Sequence, residues 1–169
     1  MIGVVVVTHG QLATELVNAA ETIVGDLPNF FAVSIGWHED VQDARNEIAA
    51  AIEKVKQPGG VLLATDMFGG TPSNLGITFL EQDQIEIVTG VNLPMLIKAA
   101  SIKDHASLID IARTLREHGR NAIWVASDLL GGISDAPAAP AAPVVPAAPV
   151  APAAPVAPVA PVAPAKKKA

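Results

Sequence analysis

Met1-Ile2-Gly3-Val4-Val5-Val6-Val7-Thr8-His9-Gly10 opens the chain with a run of valines that ends on a threonine, a histidine and a glycine. A continuous apolar, β-branched run is what a strand covered on both faces of a parallel sheet requires. Val61-Leu62-Leu63-Ala64-Thr65-Asp66 repeats the pattern. Both runs release a polar side chain at the carboxyl end, where open α/β sheets carry their sites. His9 and Asp66 are therefore expected to face one crevice.

Outward from these two strands the chain alternates, as a parallel sheet with helical crossovers demands. Gln11 to Val24 places Leu12, Leu16, Ala20, Ile23 and Val24 on a helix face that Gly25 ends. Phe30 to Ile35 reads as a strand, and Val41, Ala44, Ile48, Ile52 and Val55 mark a second helix closed by Pro58-Gly59-Gly60. A third helix is predicted from Pro72 to Gln82, with Thr71 as N-cap and Pro72 at N1. Ile85 to Val88 is a short strand, and Gly90-Val91-Asn92-Leu93-Pro94-Met95-Leu96 turns into a helix with Pro94 in its first turn. A further helix carries Leu108, Ile111, Ala112 and Leu115 and stops near Gly119, before a last strand over Ala122 to Ala126. The fold class is α/β, a three-layer open sheet. Alternation does not fix strand order, but the flavodoxin-like order 2-1-3-4 would bring the ends of the first and third strands together at the switch point.

Composition narrows the class of activity. Residues 1–135 hold all 17 acidic residues and 8 of the 11 basic ones, a charge of −9 that argues against nucleic acid as a partner. Cysteine is absent, which removes disulfides, thiolate metal sites and cysteine nucleophiles. No metal-ligand cluster is visible and no cofactor is implied. The first apolar run is short, lacks a basic flank and is needed as a strand, so neither a signal peptide nor a membrane span is expected. The protein is read as cytoplasmic.

A histidine, a carboxylate and a glycine turn entering a helix suggest a histidine that carries a phosphoryl group. Asp66 would accept a hydrogen bond from Nδ1 of His9, leaving the Nε2 lone pair free to attack phosphorus. The same carboxylate would stabilise the positive charge that grows on the ring. Backbone N–H groups from Gly69 and Gly70 through Ser73, together with the Thr71 hydroxyl, are suitable donors to the phosphoryl oxygens. Ser73 and Asn74 otherwise read as ordinary first-turn residues. Phe68 and Trp37 are candidates for partner contact near the crevice, whereas His38, His105 and His118 read as surface residues.

Thr8-His9-Gly10, Asp66 with Gly69-Gly70-Thr71-Pro72-Ser73-Asn74, and Gly90 to Leu96 together resemble the mannose-class enzyme IIA domain of the bacterial phosphoenolpyruvate-dependent sugar phosphotransferase system. The resemblance covers about residues 1–130. It implies that His9 accepts a phosphoryl group on Nε2 from the carrier protein HPr and passes it to a IIB domain. Association with the membrane IIC and IID components would then be indirect. It also implies that Asp66 partners the imidazole, that Thr71 lies near the phosphoryl group, and that the chain is a homodimer exchanging an antiparallel last strand around Ala122 to Ala126.

Two other readings stand beside it. A regulatory carrier, or a module that senses an anion or partner without transporting sugar, would use the same residues. A phosphohistidine mutase or phosphatase would need an arginine where Thr8 stands. Residues 136–169 differ in kind: from Pro137 to Pro164 ten prolines recur every third residue among alanines and valines, ahead of Lys166-Lys167-Lys168. Such a repeat suits disorder or a polyproline II rod on the order of 85 Å long. A spacer of this kind leads into a IIB domain in many members of the family.

Overall fold

The computed structural model describes residues 1–36, 40–102 and 106–130. Four parallel strands, β1 (Gly3–His9), β2 (Phe30–Ile35), β3 (Val61–Thr65) and β4 (Ile85–Thr89), lie in the order β2-β1-β3-β4. The expected order is thereby realised, and β1 and β3 are neighbours. Their register sets Val7 opposite Thr65. His9 and Asp66 thus leave the sheet side by side.

The valine run is continuous because β1 serves two cores. Val4 and Val6 join the layer built by α1 (Leu12–Val24), α4 (Leu93–Ser101) and α5 (Leu108–Asn121). Val5 and Val7 join the opposite layer, with α2 (Val41–Val55) and α3 (Thr71–Ile77). All four valines are fully enclosed, which stabilises the central strand by about 2 kcal/mol for each side chain removed from water. That rigid strand carries His9 at its end.

Four local expectations differ from what forms. Gly70, in extended backbone, and not Thr71, is the N-cap of α3, so Thr71 and Pro72 fill its first turn. The same helix ends at Ile77 and not near Gln82, because Thr78, Phe79 and Leu80 donate to carbonyls three residues back and the Thr78 hydroxyl bonds the Leu75 carbonyl. These bonds tighten the chain out of the α-helical register. α5 runs past Gly119 to Asn121, and Gly119 is buried under Asn92 and Met95, where it serves close approach and not termination.

The last strand is the fourth difference. Residues 122–125 form no strand within the chain, and Ala126 starts a short helix, α6 (Ala126–Leu130). A strand exists only by pairing, and among the described residues this segment meets no sheet edge: the N–H bonds from Ile123 to Arg120 and from Asp128 to Val125 are local turns. Ile123, Trp124 and Val125 remain 77, 43 and 60% exposed.

Candidate functional site

The site is assembled by two strand ends and one helix start. At the end of β1, Thr8 is fully buried and its hydroxyl accepts the Ala13 N–H at 2.7 Å, pinning the turn into α1. This role was missed in the sequence; the signal for it is a threonine just before a helix whose first N–H groups need acceptors. Gly10 then turns the chain with φ of +56°. His9 is left projecting from the rim, its side chain 43% exposed.

Asp66 receives three hydrogen bonds. Its Oδ2 accepts from Nδ1 of His9 at 2.7 Å and from the His9 backbone N–H at 2.9 Å, while Oδ1 accepts the Met67 N–H at 2.8 Å. Burial works against the charge, the side chain being only 14% exposed. The His9 backbone and ring and the Met67 N–H outweigh that burial and hold the carboxyl below its ordinary value of 3.8. An ionised carboxylate can only accept, so the proton between the pair sits on Nδ1 and the lone pair is on Nε2.

Nε2 points along a surface cleared by a glycine. A Cβ on Gly70 would stand 2.7 Å from Cε1 of His9 and 3.3 Å from Nε2. The absence of a side chain lets the start of α3 approach the Nε2 edge of the ring, with the first N–H groups of the helix lacking intrahelical partners. Gly69, at φ of +84°, makes the preceding turn. Thr71 is exposed in the first turn of α3.

Ser73 lies in the first turn of α3, as expected, with its hydroxyl turned into the loop. It is fully buried, its hydroxyl accepting the Gly69 N–H at 2.9 Å and donating to the Gly70 carbonyl at 3.0 Å. Both capacities are used inside the turn, and the Gly69 N–H is used with them. Ser73 therefore shapes the loop that Gly70 and Thr71 present. Asn74 adds a side-chain bond to the Gly69 carbonyl at 3.4 Å.

Between Asp66 and the glycine turn, Met67 is 56% and Phe68 75% exposed. Trp37, His38 and His105 lie outside the described residues. Among the described residues, no three His, Asp or Glu side chains converge on a metal-sized site. No helix among them is long and apolar enough to cross a membrane.

Comparison with known proteins places this arrangement. The family described as the PTS system fructose IIA component matches residues 3–115, which includes His9, Asp66 and the whole α3 turn. The chain belongs to that family. The IIA chain is 30% identical over 137 residues to the "PTS system fructose-specific EIIA component" of Bacillus subtilis, covering 80% of this chain and 94% of that one. It is 29% identical over 143 residues to the "PTS system mannose-specific EIIAB component" of Escherichia coli K12, covering 83% of this chain and 44% of that protein. Among solved structures, the mannose/sorbose-specific IIA subunit from Enterococcus faecalis superposes with a TM-score of 0.67 at 26% identity, over 73% of this chain and 93% of that one. As a IIA component of this class, the chain is a phosphotransfer protein of a sugar phosphotransferase system.

Proposed function

We propose that His9 is the residue that carries the phosphoryl group, taking it on Nε2 from the phosphohistidine of HPr and giving it to a IIB domain in sugar uptake. The observation that carries this reading is the 2.7 Å bond between Nδ1 and Asp66, which leaves Nε2 as the nucleophilic nitrogen on an exposed ring edge. In the forward step the Nε2 lone pair forms a bond to phosphorus as the donor's N–P bond breaks, its electron pair returning to the donor ring. No proton need move, because Nδ1 keeps its hydrogen and the ring becomes cationic against Asp66. Transfer to the acceptor is the same exchange in reverse order.

Phosphoryl charge spreads over three oxygens and requires donors more than it requires chemistry. The N–H groups of Gly70 and Thr71 and the Thr71 hydroxyl are assigned this role, with Gly69 and Ser73 holding the turn. Met67 offers apolar contact to the two partner proteins that must dock in turn, while Phe68 belongs to the groove along β4. Those partners place the chain in the cytoplasm, on the inner side of the membrane components.

A homodimer is part of this proposal. Its support is an exposed apolar arm over Ile123 to Val125 and a groove of about 420 Å³ along β4, lined by Phe68, Ile77, Leu80 and Ile109. An arm from a second copy would pair with β4 and cover these side chains. Residues 1–135 form the carrier domain, and the Pro/Ala repeat that follows is a spacer.

The test of the carrier role is phosphoryl transfer from phosphoenolpyruvate through enzyme I and HPr, read by intact mass. The wild-type chain is expected to gain one acid-labile phosphoryl group and His9→Ala none. A His9→Ala chain that gains the group would overturn the assignment.

A further inference from the structure

The segment Gly90 to Leu96 puts no group on His9, yet it is tied into the end of the sheet where Asp66 emerges. The Gly90 and Val91 N–H groups both donate to the Thr65 carbonyl at 2.9 Å, so the peptide leading into Asp66 is held by two bonds from the turn after β4. A φ of +83° at Gly90 folds the chain for this double contact. The next residue, Asn92, extends the connection. Its Oδ1 accepts the Met95 N–H at 3.0 Å and caps α4, while its Nδ2 donates to the Gly119 carbonyl at 3.0 Å. That carbonyl belongs to the last turn of α5, where helix carbonyls lack intrahelical donors.

Close approach is a condition of this bridge. A Cβ on Gly119 would stand 2.9 Å from Cε of Met95 and 3.2 Å from Oδ1 of Asn92. Capping alone does not need an amide, since serine or aspartate caps a helix as well. Only a side chain with both an acceptor and a donor caps α4 and satisfies α5 at once.

We propose that Asn92 is a positioning residue for Asp66. By locking the turn after β4 against α5, it holds Gly90 and Val91 in the place from which they fix the Thr65 carbonyl. The carboxylate that follows is thereby kept where it accepts both N–H groups of His9. The route from Asn92 to the imidazole alternates chain and hydrogen bond: along the backbone to Val91, across its N–H to the Thr65 carbonyl, along the backbone to Asp66, and across to both N–H groups of His9. The kinetic part of this inference rests on the carrier reading, while its effect on the histidine does not.

Two variants in the full-length chain separate positioning from capping. Asn92→Ser keeps an acceptor for Met95 and is too short to reach Gly119, and Gly119→Ala drives a methyl group into Asn92 and Met95 without altering either. Ring ¹⁵N shifts of His9 at neutral pH report which nitrogen holds the proton, and phosphoryl uptake from phospho-HPr gives kcat and KM. Both variants are expected to lose the dominance of the Nδ1-protonated tautomer and to fall about tenfold in kcat at unchanged KM. Ile111→Val, which trims packing elsewhere on α5, is expected to leave both readouts at the wild-type values. Folded Asn92→Ser and Gly119→Ala chains with the wild-type tautomer ratio would overturn the proposal and leave Asn92 a helix cap. If the wild-type chain took up no phosphoryl group, the carrier reading would fail, and the tautomer ratio would still decide the role of Asn92.

Discussion

Burial of the Asp66 carboxyl opposes its ionisation, yet hydrogen bonds from the His9 backbone, the His9 ring and the Met67 N–H hold its pKa below 3.8. A carboxylate depressed in the folded state adds stability that is fully present above its unfolded value and is lost as pH falls through the folded one. Urea unfolding of wild type and Asp66→Asn is expected to show a constant stability gap from pH 7 to about 5, narrowing below about pH 4. A gap that does not change with pH would show that the charge contributes nothing. The same substitution offers the imidazole an amide in place of an anion, which no longer selects the tautomer. Phosphoryl uptake is expected to drop by about 100-fold or more, far beyond the loss of stability. Equal uptake by the two proteins would remove Asp66 from the mechanism. The pairing of these residues was legible in the sequence, since both strands are apolar on two faces and each releases a polar side chain at its carboxyl end. The destination of the Ser73 hydroxyl was not, because its type suits a ligand donor and a turn staple equally and only the geometry of Gly69 and Gly70 decides between them.

At the scale of elements, β3 and α3 together border the imidazole of His9, and they contain one polar atom with no part in that contact. Thr65 Oγ1 is buried without a hydrogen-bond partner among the described residues. Thr65→Val replaces the hydroxyl by a methyl of similar volume and removes a desolvation cost with no partner to offset it. Thermal or urea unfolding is expected to show a variant as stable as wild type or more stable by about 1 kcal/mol, with phosphoryl uptake unchanged. A loss of more than about 1 kcal/mol would mean that the hydroxyl finds a partner in solution. The limits of the elements were less legible than their order. Thr71 has the residue type of an N-cap, but a glycine at position 70 is needed beneath the imidazole, and the cap falls there. Gly119 has the type of a helix stop, but its missing side chain admits Asn92 from a turn 27 residues earlier in the chain. Such long-range requirements leave no periodic trace in the local sequence.

For the whole molecule, the homodimer proposal joins the groove along β4 to the exposed arm beyond α5. An apolar arm left in water and an apolar groove beside an edge strand both favour association. A chain ending at Asn121 is expected to sediment as a monomer and the full chain as a dimer. Equal masses for the two would separate the arm from assembly. The His9–Asp66 pair lies within one chain, and so does the central claim: Asp66 holds Nδ1, and phosphorus bonds to Nε2. The most direct test is ³¹P and ¹⁵N NMR of the phosphorylated, ¹⁵N-histidine-labelled protein, in which phosphorus coupling identifies the bonded nitrogen. Coupling to Nε2 of His9, with Nδ1 still protonated, is the predicted result; coupling to Nδ1, or phosphorus on any other residue, would contradict it.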